Sequence, residues 1–174
     1  MKKIIFIILI AISSISAYSI DNGIGVYFNI GGGFDKRDIN NDKSSINLSY
    51  GLGAYAYNVN EYKIYYGIKA GGDFGKIHFT NKDNFHTLKI QGELGYRIEK
   101  KTDVYFILGY EKFIINYTLK SAHYRGLGFG IGGAKTVYGI FRLFSDFTYY
   151  ILNDHSLDDT IDDARINCGI IIKD

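Results

Sequence analysis

The segment 126–133 alternates glycine with large apolar residues, and this pattern restricts the fold more than any other feature of the sequence. It reads Gly-Leu-Gly-Phe-Gly-Ile-Gly-Gly, so that Leu127, Phe129 and Ile131 occupy every second position. Successive side chains of a β-strand point to opposite faces. The segment is therefore predicted to be a strand with one apolar face and one face of bare backbone, where space is short.

The same period of two recurs in seven other segments, and no segment has the pattern of an amphipathic helix. The connections between the segments alternate in length. Long polar connections are predicted at 35–45, 76–84, 116–123 and 153–162, and short ones at 58–61, 99–102 and 135–138. An even number of strands joined in this way is typical of outer-membrane-type barrels. We predict an all-β fold, a transmembrane eight-stranded antiparallel up-and-down β-barrel.

The amino terminus has the features of a secretory signal peptide. A positively charged start precedes an apolar run over 4–12, which is shorter than the roughly 20 residues that a transmembrane helix needs. Small residues allow cleavage after Ala17 or after Ser19, and the sequence does not select between them. The predicted organisation is a signal peptide over 1–19 and a single barrel domain over 20–174.

Charge and cysteine content exclude two classes of protein. Without the two lysines of the signal, 18 of the 20 basic residues remain and balance the 18 acidic residues, so a global basic surface for nucleic acid is absent. Cys168 is the sole cysteine, which rules out an intrachain disulfide and a lipid-anchoring thiol after the signal. We expect Cys168 to lie on the lipid face as a small apolar residue.

The direction of the apolar face is decided by volume. The eight strands carry more large apolar residues than the roughly 12 side chains that fill the interior of a closed barrel. The apolar face is therefore predicted to contact lipid, and the alternative is a soluble, secreted lipocalin-like barrel or sandwich with this face inward. Tyrosines near strand ends favour the first arrangement, because aromatic girdles lie at membrane interfaces. They are Tyr50, Tyr62, Tyr96, Tyr110 and Tyr149.

The opposite face combines glycine with single charges of both signs. Its charged residues are Lys63, Lys69, Asp73, Lys89, Glu93, Arg97, Glu111, Arg142, Asp146 and Arg165. Charges inside a narrow barrel must be paired. We predict a stacked ion-pair network that plugs the lumen and is structural rather than catalytic. Its predicted members are Lys69, Glu93, Arg97, Glu111, Arg142 and Asp146.

The sequence resembles the small outer-membrane barrels of the opacity-protein and outer-membrane-protein-A type. The resemblance rests on the signal peptide, the eight strands, segment 126–133, Leu108-Gly109-Tyr110, and the Arg142 and Asp146 pair of the seventh strand. It implies a location in the outer membrane of a Gram-negative-type (diderm) bacterium, contact with outer-membrane lipid, and insertion by the outer-membrane assembly machinery. Some members act in adhesion or envelope maintenance. Such barrels usually end in an aromatic assembly signal, whereas this sequence ends in Ile172-Lys173-Asp174, which leaves the insertion route open.

Three functions are compatible with these features. The first is a monomeric barrel with a side-chain-filled lumen that serves envelope integrity, or contact with a host or envelope partner through four external loops. The second is a narrow pore for small solutes. The third is a lipid-modifying enzyme, for which Asp154, His155 and Ser156 are the single candidate cluster. Nothing in a loop fixes such a cluster, so we expect that the protein is not an enzyme.

Other motifs have simpler interpretations. The match of Gly128, Gly130 and Gly133 to a dinucleotide fingerprint lacks the required loop and helix, so no cofactor is expected. The histidines lack metal-ligand spacing and are expected in solvated loops: His78, His86, His123 and His155. The acidic residues of the last connection lack EF-hand spacing and are likewise expected in a solvated loop, without a metal: Asp154, Asp158, Asp159, Asp162 and Asp163.

Overall fold

The fold is a closed barrel of eight antiparallel strands in chain order. A computed structural model describes residues 19–37, 43–77, 83–116, 121–154 and 159–174. The strands are β1 (Ser19–Arg37), β2 (Lys43–Asn60), β3 (Ile64–Ile77), β4 (Asp83–Glu99), β5 (Thr102–Asn116), β6 (Ser121–Tyr138), β7 (Phe141–Asp154) and β8 (Asp159–Lys173). Each strand pairs with its sequence neighbours, and β8 pairs with β1 to close the ring. The predicted up-and-down barrel is confirmed.

Residues 1–18 of the predicted signal peptide lie outside the described residues, and Ser19 begins β1. Within the described residues, no helix is long and apolar enough to cross a membrane.

The apolar face of the sheet points outward, as predicted from volume. Leu127, Phe129 and Ile131 are 67%, 62% and 58% exposed, whereas Gly128 and Gly130 are buried. The same alternation holds along most of the other seven strands, and it is interrupted at 72–73 in β3 and at 113–115 in β5. The alternative with the apolar face inward is wrong.

Glycines on the inner face of β6 leave room for large side chains of other strands. A Cβ on Gly128 would meet the ring of Tyr150, and a Cβ on Gly132 would meet the carboxylate of Asp146 and the ring of Tyr105. The bare face of segment 126–133 is therefore the surface against which the lumen is packed.

The strands are longer than the sequence predicts, and the connections are correspondingly shorter. Both ends of each predicted long connection are strand, and only 38–42, 78–82, 117–120 and 155–158 fall between strands and outside the described residues. The polar residues that suggested loops, such as Asp35 and Asn47, are instead inward-facing strand residues. Polarity at these positions reflects the lumen and not solvent.

Two of the short turns are displaced from their predicted positions. The β2–β3 turn lies at 61–63, where the amide of Lys63 donates to the carbonyl of Asn60 at 2.9 Å and Lys63 has a φ of 63°. The β6–β7 turn lies at 139–140, where Gly139 has a φ of 43°. A left-handed φ favours glycine, which explains why the chain turns at Gly139. We call this end of the barrel the turn end and the opposite end the loop end.

Two apolar clusters fill the interior near its ends. The turn-end cluster is rich in tyrosine and consists of Tyr27, Tyr55, Tyr57, Val59, Tyr65, Tyr105, Ile107, Ala134, Phe144 and Ile171. The loop-end cluster consists of Ile77, Phe85, Phe113, Ile115, Ala122, Tyr124, Tyr150, Leu152 and Ile161. The core of this molecule is therefore its lumen, which contains rings and aliphatic groups as well as the predicted charges.

Candidate functional site

Lys69 of β3 is the centre of the first charged group in the lumen. Its Nζ lies 2.8 Å from Glu93 Oε1 and 2.6 Å from Asp146 Oδ2. The hydroxyl of Tyr105 donates to the other oxygen of Asp146 at 2.7 Å. Lys69 is 2% exposed and both carboxylates are buried, so the ammonium neutralises charges that have no access to water.

Asp103 of β5 is the centre of a second charged group, closer to the turns. Arg97 Nε and Arg142 Nη2 each donate to a different oxygen of Asp103, both at 2.7 Å. Arg97 also pairs with Asp21 at 2.7 Å, and Lys173 Nζ lies 3.2 Å from the same carboxylate. Asp103 therefore joins two guanidinium groups that come from different strands.

These two groups form the turn half of the lumen, which we define by its charged residues. Its acids and bases are equal in number: Asp21, Glu93, Asp103 and Asp146 against Lys69, Arg97, Arg142 and Lys173.

A stack of tyrosine rings surrounds the charges of the turn half. The rings of Tyr55, Tyr57, Tyr65 and Tyr105 follow one another with centroids 5.7, 6.0 and 5.1 Å apart. The Arg142 guanidinium lies 4.6 Å from the Tyr57 ring, and such cation–π contacts stabilise a buried cation. These rings were not among the residues predicted to fill the lumen. The sequence feature that could have identified them is their inward-facing position in the alternation of each strand.

Arg165 of β8 is the centre of the loop half of the lumen. Its Nη1 lies 3.0 Å from Asp73 Oδ2 and 3.9 Å from Glu111 Oε1, and its Nη2 lies 2.7 Å from Asp163 Oδ2. Lys89 Nζ contacts Asp73 Oδ2 at 2.6 Å. Next to Asp163, on β1, lies Asp35, which is its register partner. We define the loop half by Asp35, Asp73, Lys89, Glu111, Asp163 and Arg165.

The six residues of the predicted network all have buried side chains, but they belong to separate groups. Lys69, Glu93 and Asp146 lie together, whereas Arg97 and Arg142 meet at Asp103, and Glu111 lies beside Arg165. The energetic role of this network stays a prediction.

Arg142 pairs with Asp103 of β5 and not with Asp146 of its own strand. Residues four apart on one strand are separated by roughly 13 Å, whereas inward residues of different strands meet across the narrow lumen. Lys63, which was expected to face the lumen, is exposed in the β2–β3 turn. Asp103 was not predicted, although it is the first inward position after the turn at 100–101.

The remaining candidates fall in several places. Gly128, Gly130 and Gly133 lie within β6, and His86 and His123 lie in β4 and β6 instead of loops. His78, His155, Ser156 and Asp158 lie outside the described residues. Over the described ranges, no three His, Cys, Asp or Glu side chains are grouped so that they could hold a metal ion.

The acidic residues of the last predicted connection are strand residues. Asp154 ends β7, Asp159 begins β8, and both are buried together with Asp163. The expectation that they lie in a solvated loop is therefore wrong for these three residues. Cys168 is exposed on the outward face of β8, as expected.

The lumen opens at the turn end into a cavity of about 690 Å³. Arg97, Lys173 and Thr136 line it together with the lysines of the neighbouring turns. Above this cavity the tyrosine stack and the paired charges occupy the interior, and the loop-end cluster follows. Packed side chains of this kind can hold the strands rigidly together. A wide aqueous channel would need open space, whereas this lumen contains packed side chains.

The outer surface has the features of a membrane-spanning barrel. An apolar band circles it, with exposed tyrosines near its edges, namely Tyr62, Tyr96 and Tyr110, whereas Tyr50 lies within the band because Ile46 and Leu48 are exposed beyond it. Strands of 14 to 19 residues exceed the roughly 9–11 residues that cross a bilayer. The strand ends therefore extend beyond the apolar band.

Comparisons with known proteins identify the fold. No family model matches the sequence, and no curated protein matches it. The structure is similar to Ail, the attachment invasion locus protein of Yersinia pestis, with 14% identity, coverage of 86% of this chain and 99% of that chain, and a TM-score of 0.50. It is also similar to Neisserial surface protein A, with 11% identity, coverage of 87% and 99%, and a TM-score of 0.52. With its closed ring of eight strands and its outward apolar band, this chain has the fold of the small outer-membrane β-barrels.

Proposed function

We propose that this protein stabilises the outer membrane of a diderm bacterium as a monomeric barrel with a closed, side-chain-filled lumen. The observation that carries the proposal is the filling of the lumen by two apolar clusters and, between and around them, buried ion pairs. A barrel filled in this way acts through its outer surface and its rims. On this proposal the barrel catalyses no reaction, and the outer-membrane assembly machinery inserts it.

A pair of like charges on the outer surface supports contact with anionic lipid headgroups. Lys112 of β5 and Arg125 of β6 are register partners, and both side chains are exposed and outward-facing. Like charges directly opposite each other destabilise a sheet. They lie one outward position beyond Tyr110 and Leu127 of the apolar band, where headgroup phosphates would neutralise both.

The test is a pair of measurements on the refolded chain without its signal segment. In detergent micelles we expect a strand-rich circular dichroism spectrum and a gel mobility that changes on boiling, as for a barrel. In planar bilayers we expect no discrete conductance steps, with a wide porin as the positive control. Reproducible steps from the parent protein would replace this proposal with the narrow pore.

The envelope role is tested in cells. A strain that lacks the gene should take up a hydrophobic dye faster than its parent, and the intact gene should restore the barrier. A Lys112→Gln, Arg125→Gln double variant should restore it less completely, whereas Lys135→Gln, on the turn side of β6, should restore it fully. Unchanged dye uptake in the deletion strain would contradict the proposed role.

A second candidate function is contact with a partner at the cell surface. The strand ends that extend beyond the apolar band favour it, because they would present polar outward side chains above the membrane. Binding of cells that display the protein to a partner-coated surface tests this function, with an empty-vector strain as the control.

A further inference from the structure

The two halves of the lumen differ in their balance of described charges. In the turn half, four acids meet four bases. In the loop half, the acids Asp35, Asp73, Glu111 and Asp163 meet only the bases Lys89 and Arg165. All six side chains are buried, and a buried charge without a counter-charge is strongly unfavourable. Among the described side chains of the loop half, acids therefore outnumber bases by two.

Asp35 is the carboxylate most affected by this shortage of positive charge. It is 0% exposed, and it forms no ion pair with any described residue. It accepts a hydrogen bond from the side-chain amide nitrogen of Asn47. Asp163 lies opposite Asp35 in register, and directly opposed side chains on one face have Cβ atoms about 5 Å apart. Two buried carboxylates thus face each other across the β1–β8 pair.

Three oxygen atoms at this place have no hydrogen-bond donor among the described residues. They are Asp35 Oδ1, Asp163 Oδ1 and Asn47 Oδ1, and Asn47 itself is 1% exposed. Oxygen atoms from two carboxylates and one amide are the ligands that hard divalent cations prefer. A Cβ on Gly33 would lie 3.0 Å from both amide atoms of Asn47, so a glycine leaves this amide its space.

The loop-end cluster leaves this side of the lumen polar. Its residues come from β3 to β8 and none from β1 or β2. At the same end, β1 and β2 instead turn Asp35, Ser45 and Asn47 inward. This side of the lumen therefore surrounds an ion with polar side chains of β1 and β2.

We propose that the loop half of the lumen binds a divalent cation, Ca²⁺ in the first place, between Asp35, Asp163 and Asn47. One such ion balances the two excess negative charges and supplies the missing partner to all three oxygen atoms. Water completes its coordination, since Ca²⁺ takes six to eight oxygen ligands in flexible geometry. Because Asp35 belongs to β1 and Asp163 to β8, the ion links the two strands that close the barrel.

The test uses the full barrel, refolded in detergent micelles at neutral pH and freed of metal with a chelator. Saturating Ca²⁺ should raise the midpoint of thermal unfolding by about 5 °C over Na⁺ at equal ionic strength, since a ligand that binds only the folded state stabilises it. Tb³⁺, a luminescent substitute for Ca²⁺, should bind with emission excited through the tyrosines, and Ca²⁺ should displace it.

The decisive variant is Asp35→Asn, which keeps the shape of the side chain and removes one of the two excess charges. It should weaken binding of Ca²⁺ and Tb³⁺ at least about tenfold, while the metal-free protein becomes more stable than the metal-free parent. Asp162→Asn is the matched control, because Asp162 precedes Asp163 and faces outward. It should retain the full response of the parent.

Two outcomes would overturn the proposal. One is a parent protein with no Ca²⁺ shift and no Tb³⁺ emission, whose stability instead rises as the pH falls, since protons would then balance the charges. The other is an equal loss of response in Asp35→Asn and Asp162→Asn, since the ion would then bind at the surface. The first measurement needs no variant, so a folding defect in Asp35→Asn leaves the proposal testable.

Discussion

The turn half and the loop half of the lumen are built from the same kinds of residue, yet they solve the problem of buried charge differently. Around Lys69 and Asp103, each carboxylate contacts a base and the bases lie against tyrosine rings. Around Arg165, three carboxylates share one guanidinium, and Asp35 has only an amide donor. The comparison shows that ion pairing inside a barrel depends on the local numbers of acidic and basic side chains. The near-zero net charge of the whole chain conceals the difference between the two halves.

The largest expected effect is the loss of a base from the balanced half. Lys69→Met should lower the free energy of unfolding by about 3 to 5 kcal/mol, because Glu93 and Asp146 would stay buried without their cation. Urea unfolding of the refolded barrel, followed by circular dichroism, measures this change.

Lys76→Met is the control for Lys69→Met, because Lys76 lies on the same strand with an exposed outward side chain. It should change the free energy of unfolding by less than about 0.5 kcal/mol. Similar stability of the two variants would mean that the ion pairs of the turn half contribute little.

A smaller effect is expected from filling the space beside the same charges. Gly132→Ala should cost about 1 to 3 kcal/mol, because the new Cβ would press on the Asp146 carboxylate and the Tyr105 ring. At Gly133, the next residue, the nearest atom to a Cβ is a carbonyl oxygen at 3.4 Å, so Gly133→Ala should be close to neutral. Thermal unfolding of both variants checks the difference, and equal midpoints would show that the turn half can move to make room.

In the loop half, the removal of a charge should raise the free energy of unfolding instead of lowering it. Without metal, Asp35→Asn should raise the free energy of unfolding by about 1 kcal/mol, because it removes a buried negative charge that forms no ion pair with a described base. The equivalent change at Asp103, which holds two arginines, should be destabilising. Urea unfolding in chelator compares the two, and a loss of stability in both variants would remove the contrast between the halves.

The smallest effect concerns the turn end alone. Lys63 has a left-handed φ, which costs a residue with a side chain about 1 to 2 kcal/mol, and glycine regains part of this at an entropic cost of roughly 0.5 to 1 kcal/mol. Lys63→Gly should therefore stabilise the barrel by about 0.5 kcal/mol, measured as a rise in the thermal midpoint. A fall in the midpoint would show that the lysine side chain has a role at this rim.

The period of two predicted much of this fold, because one residue decides the direction of the next. It assigned Leu127 to the outside and Lys69 to the inside, and the volume argument then fixed which side is lipid. It could not predict which inward residues meet. Arg142 reaches Asp103 because the stagger of neighbouring strands brings them to one level, and stagger has no signature in a single strand.

The errors at strand ends have a common physical cause. A polar residue at the mouth of a barrel and a polar residue in a loop have the same composition, so Asp35 and Asp163 were assigned to connections although they face the lumen. The tyrosines were ambiguous for a similar reason. Tyr96 at the membrane edge and Tyr65 in the core differ only in the phase of the strand that carries them.

The pairing of β1 with β8 also determines how slowly the folded protein unfolds. Asn29 and Asn167 are joined by a hydrogen bond although 138 residues separate them. Neither strand can leave its neighbour without exposing backbone amides and carbonyls to hydrocarbon, where each unsatisfied group costs several kcal/mol. The ring therefore opens all at once or not at all. The lifetime of the folded state is set by the height of that single unfolding barrier. We therefore expect the protein to unfold slowly in chemical denaturants, in addition to its equilibrium stability.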